Sequence, residues 1–346
     1  MWPNCAGMSI GSLPHTNPAE ACEHTIKSTP EVVALPLLPN TSFKETICIY
    51  TCEKLPGLVI DEANLKVYLD DDLFHEQTEE FYNQYLAGNL DYFSFTGEYT
   101  RGYSAMIDIL ENRNLKGIRY LKGNVSGPVT VGFTVKDRQN RPIFYNRLYR
   151  DCMIKNLNMK ARWLENRFSG LNPKATTLIM FSEPILGVIG SSFYSLQKEE
   201  VIESINACLE GLNGLTGIHC CNNTDWEMLL STKIKYISFD AYHFMETFAL
   251  FSDKIHEFLD GGGMIAWGII PTEQNKLSTE ASEIADWFLN CIKTLSDRGI
   301  PKKLLLERSF ITPVCGTGSL SVEAAERIYS LINPVCTIVR QKEKIF

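Results

Sequence analysis

A chain of 346 residues, 45% apolar and 21% charged, can bury a large core and has the balance of a folded protein rather than a disordered one. A net charge of −8 with no long basic tract argues against a nucleic-acid binder working through a basic face. No apolar run approaches the roughly 20 residues that span a bilayer, and eleven scattered cysteines behind a start (MWPNCAGMSIGSLPH) without secretory-signal features predict reduced thiols in a cytoplasmic protein.

In chain order, MSIGS (8–12) reads as a strand, followed by a helix around 18–28 and a second strand, VVALPLL (32–38). The stretch at about 50–115 breaks the rhythm: VIDEANLKVYLD reads as a hairpin, while HEQTEEFYNQYLAG and YSAMIDILENRN have helical spacing. Then strands and helices alternate. IRYLKGNV (118–125) precedes a long helix over 142–168, and TTLIMFS (176–182) precedes a helix over 198–212. LTGIHCC (215–221) leads into a short helix, and KYISFD (235–240) into a helix reaching about 259. MIAWGII (264–270) precedes ASEIADWFLNCIKTLSDRG, and LLLERSFITPV (304–314) precedes a final helix from about Ser321.

Repeated strand–helix units with near-continuous apolar strands predict a parallel sheet. Eight such strands over this length predict one (β/α)8 TIM barrel over residues 1–346, with the 50–115 segment as an insertion. A doubly wound open sheet is the competing arrangement.

Several strand ends carry chemistry. Alternation along LTGIHCC puts His219 and Cys221 on one side and Cys220 on the other. An imidazole and a thiolate side by side are half of a tetrahedral zinc site, and Cys315, ending the last strand before Gly316-Thr317-Gly318, could supply a third ligand. For an isolated His-x-Cys a buried structural histidine and thiol is the commoner reading, and Cys220 is the alternative ligand should the strand end early. Asp240, ending the next strand, could close the metal site as a hard, exchangeable ligand or cap the following helix. Glu183 ends the strand before the His-Cys strand and could bind substrate or cap a turn; Ser12 and His15 could line the mouth from the first strand. Thr224-Asp-Trp-Glu227 reads as a capping box that fixes the loop after Cys221, and Trp226 and Trp267 as core or rim aromatics.

Taken in order, Ile10-Gly11-Ser12, Gly127-Pro128-Val129-Thr130, Glu183-Pro184, His219-x-Cys221, Asp240 and Cys315-Gly316 span nearly the whole chain. The set resembles the catalytic half of cobalamin-independent methionine synthases and, more distantly, the uroporphyrinogen decarboxylase and methylcobalamin:coenzyme M methyltransferase barrels. The resemblance implies zinc held by His219, Cys221 and Cys315, with Asp240 exchangeable, and catalytic or substrate-binding roles for Asp240 and Glu183 beside Ser12 and His15. It implies methyl transfer from a donor to a zinc-bound small thiol such as homocysteine.

The chain also departs from that pattern. Leu37-Leu38 and Ser182 stand where the synthases carry the acids that hold homocysteine's ammonium group, and Ile270-Pro271-Thr272 stands where they carry a histidine. The length leaves no room for the synthases' second barrel, and short relatives of this kind imply methylcobalamin on a partner corrinoid protein as the donor. A uroporphyrinogen decarboxylase-like enzyme, lacking here its amino-terminal arginine motif, and a non-catalytic corrinoid- or tetrapyrrole-binding protein are the alternatives.

Overall fold

Strands buried on both faces read as unbroken apolar runs, and these runs form one parallel sheet in the computed structural model, which describes residues 2–188 and 196–345. Its strands are β1 (Ala6–Gly7), β2 (Val32–Ala34), β3 (Tyr120–Ser126), β4 (Thr176–Ser182), β5 (Leu215–Cys220), β6 (Tyr236–Asp240), β7 (Met264–Ile270) and β8 (Ser309–Pro313). They follow one another around the sheet in chain order, with β8 returning to pair with β1. The ring closes beyond the ends of β1 and β2: Ser12 bridges Leu37 in parallel, Leu13 N donates to Leu37 O (2.9 Å), and Leu37 N donates to Gly11 O (3.0 Å). The architecture is a nearly closed eight-stranded barrel wrapped by helices, and the open sheet is ruled out.

Alternation sorts the side chains of every strand. Ala6, Met8, Ile10, Val32, Tyr120, Leu178, Met180, Tyr236, Met264, Ala266 and Phe310 fill the barrel. Their neighbours, among them Ile179, Phe181, Ile218, Cys220, Ile237, Phe239 and Trp267, face the helices. Trp226 and Trp267 are fully buried; Trp226 packs edge-on against Phe239, and Trp267 donates its indole N–H to Ser309 Oγ (2.7 Å).

The structure moves several expected boundaries, each for a local reason. The second strand stops at Ala34 because Pro36 has no N–H for a ladder. The run 304–314 divides into a helix, Lys302–Glu307, and β8, since a short apolar run has no period of its own. The long helix is Arg147–Leu171, starting only where Asn146 accepts from Leu148 N and Tyr149 N. The helix after β6 is two, Ala241–Ala249 and Ser252–Asp260. Between β2 and β3 the expected hairpin is present (Leu58–Asp61 against Lys66–Leu69), with Lys136–Asp137 as its third strand, followed by helices Asp71–Leu86 and Arg101–Glu111.

One polar residue lies deep in the barrel. Lys122 has no solvent exposure; its Nζ donates to Ile10 O (2.7 Å) and Asn124 Oδ1 (2.7 Å), while Asn124 Nδ2 donates to the same Ile10 O (2.7 Å). These bonds tie β3 to the chain after β1, where β2 is too short to reach. Burial disfavours the ammonium and pushes the Lys122 pKa down to about 7. The unfolded chain therefore holds one more proton than the folded one between that value and the ordinary lysine range. Stability rises with pH across the window, by up to about 1.4 kcal/mol per pH unit, and is lost as pH falls back through about 7. In Lys122→Met this rise should vanish, as read from denaturant midpoints between pH 7 and 9.5.

Candidate metal centre

At the carboxyl ends of the strands the inward positions turn polar. His219 is paired in register with Ser182 of β4 and Ser238 of β6, and only 4% of it is exposed. Cys221 follows β5 directly, and Cys315 arrives from the end of β8 on the far side of β6 and β7. The candidate ligand atoms of His219, Cys221 and Cys315 all lie within 4.8 Å of one another. Cys220 points away into the helix-facing core, its Sγ 3.4 Å from Asn222 O, and is not the alternative ligand.

The donors suit a soft divalent ion. His219 Nδ1 lies 3.0 Å from Ser238 Oγ, while Nε2 is buried and has no hydrogen-bond partner. An orphaned ring nitrogen costs free energy, and a metal bond would satisfy it. Hydrogen bonding to Cys221 holds the Cys315 thiol below the usual thiol range; burial opposes this and the His219 imidazole adds to it. The same contact, with burial, drives Cys221 upward. One sulfur thus already has the thiolate character that coordination needs. An imidazole and two thiols fit the ligand types of zinc, and three protein ligands are the number found in catalytic zinc sites.

The remaining expected residues fall elsewhere. Asp240, expected as a fourth ligand and catalytic acid, stands outside the cluster. Its Oδ1 accepts from His243 N (2.9 Å) and its Oδ2 meets His243 Nδ1 (2.7 Å), so it caps helix Ala241–Ala249. Burial raises its pKa and His243 opposes the rise. The outer nitrogen of His243 pairs with Glu273 at 2.9 Å.

Glu183, expected to meet substrate, has no exposure. It accepts from Val129 N (2.9 Å), Thr130 N (2.7 Å) and Thr130 Oγ1 (2.6 Å) at the start of helix Pro128–Thr134. A Cβ on Gly127 would sit 2.2 Å from its carboxyl carbon, so glycine is what lets the acid enter. Burial pushes it up to about 7 despite those three bonds. His15 is buried behind the mouth, stacked on His24 and 3.5 Å from Glu326. The cap after Cys221 is also shifted: Asp225 accepts from Met228 N (3.0 Å), while Thr224 Oγ1 donates to Leu186 O (3.1 Å).

Ser12 does face the mouth. Its Oγ accepts from Gly318 N (3.3 Å), and a Cβ on Gly316 would come within 2.1 Å of it, so the glycine turn after Cys315 packs directly on Ser12. Beside it lies a cavity of about 350 Å³, also lined by Tyr50, Asn124 and Ser182. Sequence reasoning missed Tyr50, Asn124 and Ser238; Ser182 it noted only as standing where the synthases carry an acid. Ser238 and Asn124 were recoverable as polar residues at inward strand positions; Tyr50 comes from a one-turn helix, Ile49–Cys52, with no such pattern.

No protein-family model matches the sequence, and no curated protein matches it either. Solved structures do match. A B12-independent methionine synthase from Shewanella sp. W3-18-1, in complex with selenomethionine, superposes with a TM-score of 0.63 at 16% identity over all of both chains. A putative vitamin-B12 independent methionine synthase from Listeria monocytogenes gives 0.57 at 11% identity over 99% of each. The chain therefore has, along its whole length, the barrel fold of B12-independent methionine synthases. No helix among the described residues is long and apolar enough to cross a membrane.

Protein purified from zinc-supplemented medium should carry about one zinc per chain by elemental analysis, and Cys315→Ser should carry almost none. Ser238→Ala, which removes the orienting partner of His219, should keep the fold and weaken zinc affinity by about 10–100-fold in a chelator competition.

Proposed function

We propose that this protein is a zinc-dependent thiol methyltransferase. The observation that carries the reading is the meeting of one imidazole and two thiols at the barrel mouth, near a small cavity lined by Ser182, the register partner of His219, and Gly316, the residue after Cys315. His219, Cys221 and Cys315 would hold the zinc. Zinc in such a site lowers the pKa of an acceptor thiol and keeps it anionic at neutral pH.

The chain's own residues supply position. Ser238 holds the His219 ring, and the Ser12–Gly318 contact holds the turn after Cys315. The acceptor sulfur, having lost its proton, forms the new S–CH3 bond as the donor–CH3 bond breaks, and that bond's electron pair stays with the donor. A donor approaching in line must come from the open side of the mouth, which suits a methylcobalamin presented by a corrinoid protein. Among the described residues, those lining the cavity include no arginine or lysine, so nothing among them favours a decarboxylase acting on a polycarboxylated tetrapyrrole.

Incubating the zinc protein with methylcobalamin and a thiol panel should give methyl thioethers by mass spectrometry, with loss of the methylcobalamin spectrum. Cys221→Ser should reduce the rate by at least about 100-fold. Zinc-replete protein that methylates no thiol, from free methylcobalamin or from a methylated corrinoid protein, would refute the reading.

A further inference from the structure

The cavity beside the sulfur pair says something about the tail of the thiol that enters it. Its lining includes Ser182, in register with His219, and Gly316, next to Cys315. Ser12, Thr46, Asn124 and Ser319 give the lining hydroxyl and amide groups, and Leu37, Pro39 and Ile47 give it apolar surface.

Glu45 is the single ionisable carboxyl in that lining, and it has nothing left to offer. It is completely buried; Oε1 accepts from Leu38 N (3.1 Å) and Gly102 N (3.1 Å), and Oε2 from Arg101 N (2.9 Å) and Thr41 Oγ1 (3.1 Å). A carboxylate has about four acceptor sites, and all are taken by the start of helix Arg101–Glu111 and its neighbouring loop. Asp240, which does not line the cavity, accepts two bonds from His243. Lys122, beneath the lining residue Asn124, bonds Asn124 Oδ1 and Ile10 O, and burial drives it toward its neutral form.

Moving an ammonium or carboxylate group from water into such a space removes its hydration without returning an opposite charge. We infer that the acceptor is a small uncharged thiol, with a hydroxyl or apolar tail rather than an ammonium or acidic one, and that Ser182 is a specificity-determining residue. This inference rests on the thiol-methyltransferase reading and narrows it.

The test uses the full-length protein loaded with cobalt(II), whose visible absorption reports a thiol joining the metal. It is titrated with 2-mercaptoethanol, cysteamine, 3-mercaptopropionate and homocysteine. The expected result is saturation by 2-mercaptoethanol at a concentration about tenfold or more below that of each charged thiol. Ser182→Asp should shift the cysteamine-to-2-mercaptoethanol ratio toward cysteamine by about tenfold. Homocysteine, cysteamine or 3-mercaptopropionate binding as tightly as 2-mercaptoethanol would overturn the inference and leave the methyltransferase reading standing. An unchanged ratio in folded, cobalt-binding Ser182→Asp would overturn the role of Ser182. No spectral response to any of the four would end both. Should Ser182→Asp fail to fold, the wild-type series alone decides on the uncharged acceptor.

Discussion

A parallel barrel must turn every second side chain of every strand toward its axis, and that constraint builds the site. Low in the barrel the inward positions are Tyr120, Met180, Tyr236 and Phe310, which pack as hydrocarbon. Toward the carboxyl ends they become Asn124, Ser182, His219 and Ser238. The parallel register lines Ser182, His219 and Ser238 up on adjacent strands. Cys315 completes the group because the ring of strands brings the end of β8 back across the mouth. Residues 94 positions apart in sequence, Cys221 and Cys315, thus meet without any contact between their strands.

The acids around the mouth serve a different purpose from the sulfurs. Glu183, Glu45 and Asp240 each turn a carboxylate onto backbone N–H groups at the start of a following or neighbouring helix. Those donors have no partner within their own helices, and the positive end of the helix dipole favours the negative charge. Each acid therefore fixes a helix to the rim. Little free negative charge is left to compete with the soft donors for a metal or to attract a cation into the cavity.

Much of this was legible in the sequence. Runs such as TTLIMFS and MIAWGII are strands over their full predicted lengths, because apolar runs of that size bounded by turns leave few other readings. Alternation alone separated His219 and Cys221 from Cys220. The roles of Asp240 and Glu183 were not readable, since a carboxylate at a strand end caps a helix or faces a ligand depending on a rotamer that no spacing reports. Tyr50 and Glu45 reach the cavity from the stretch between β2 and the hairpin, where Glu45 is placed by its bonds to the start of the distant helix Arg101–Glu111 rather than by a local pattern. The split of 304–314 was hidden because Leu304–Leu306 suits a helix and a strand equally.

Ser12 belongs to two structures at once: its backbone makes the bridge that closes the ring between β1 and β2, and its hydroxyl supports the turn that carries Cys315. That joint is held by two backbone hydrogen bonds, Leu13 N to Leu37 O and Leu37 N to Gly11 O, so it is a place where the wall can open in thermal fluctuation. A guest seated against Ser12 would act as a keystone, slowing amide exchange at Leu13 and Leu37 while it stays. The cylinder's mechanical integrity and its chemistry are thereby wired through one small side chain.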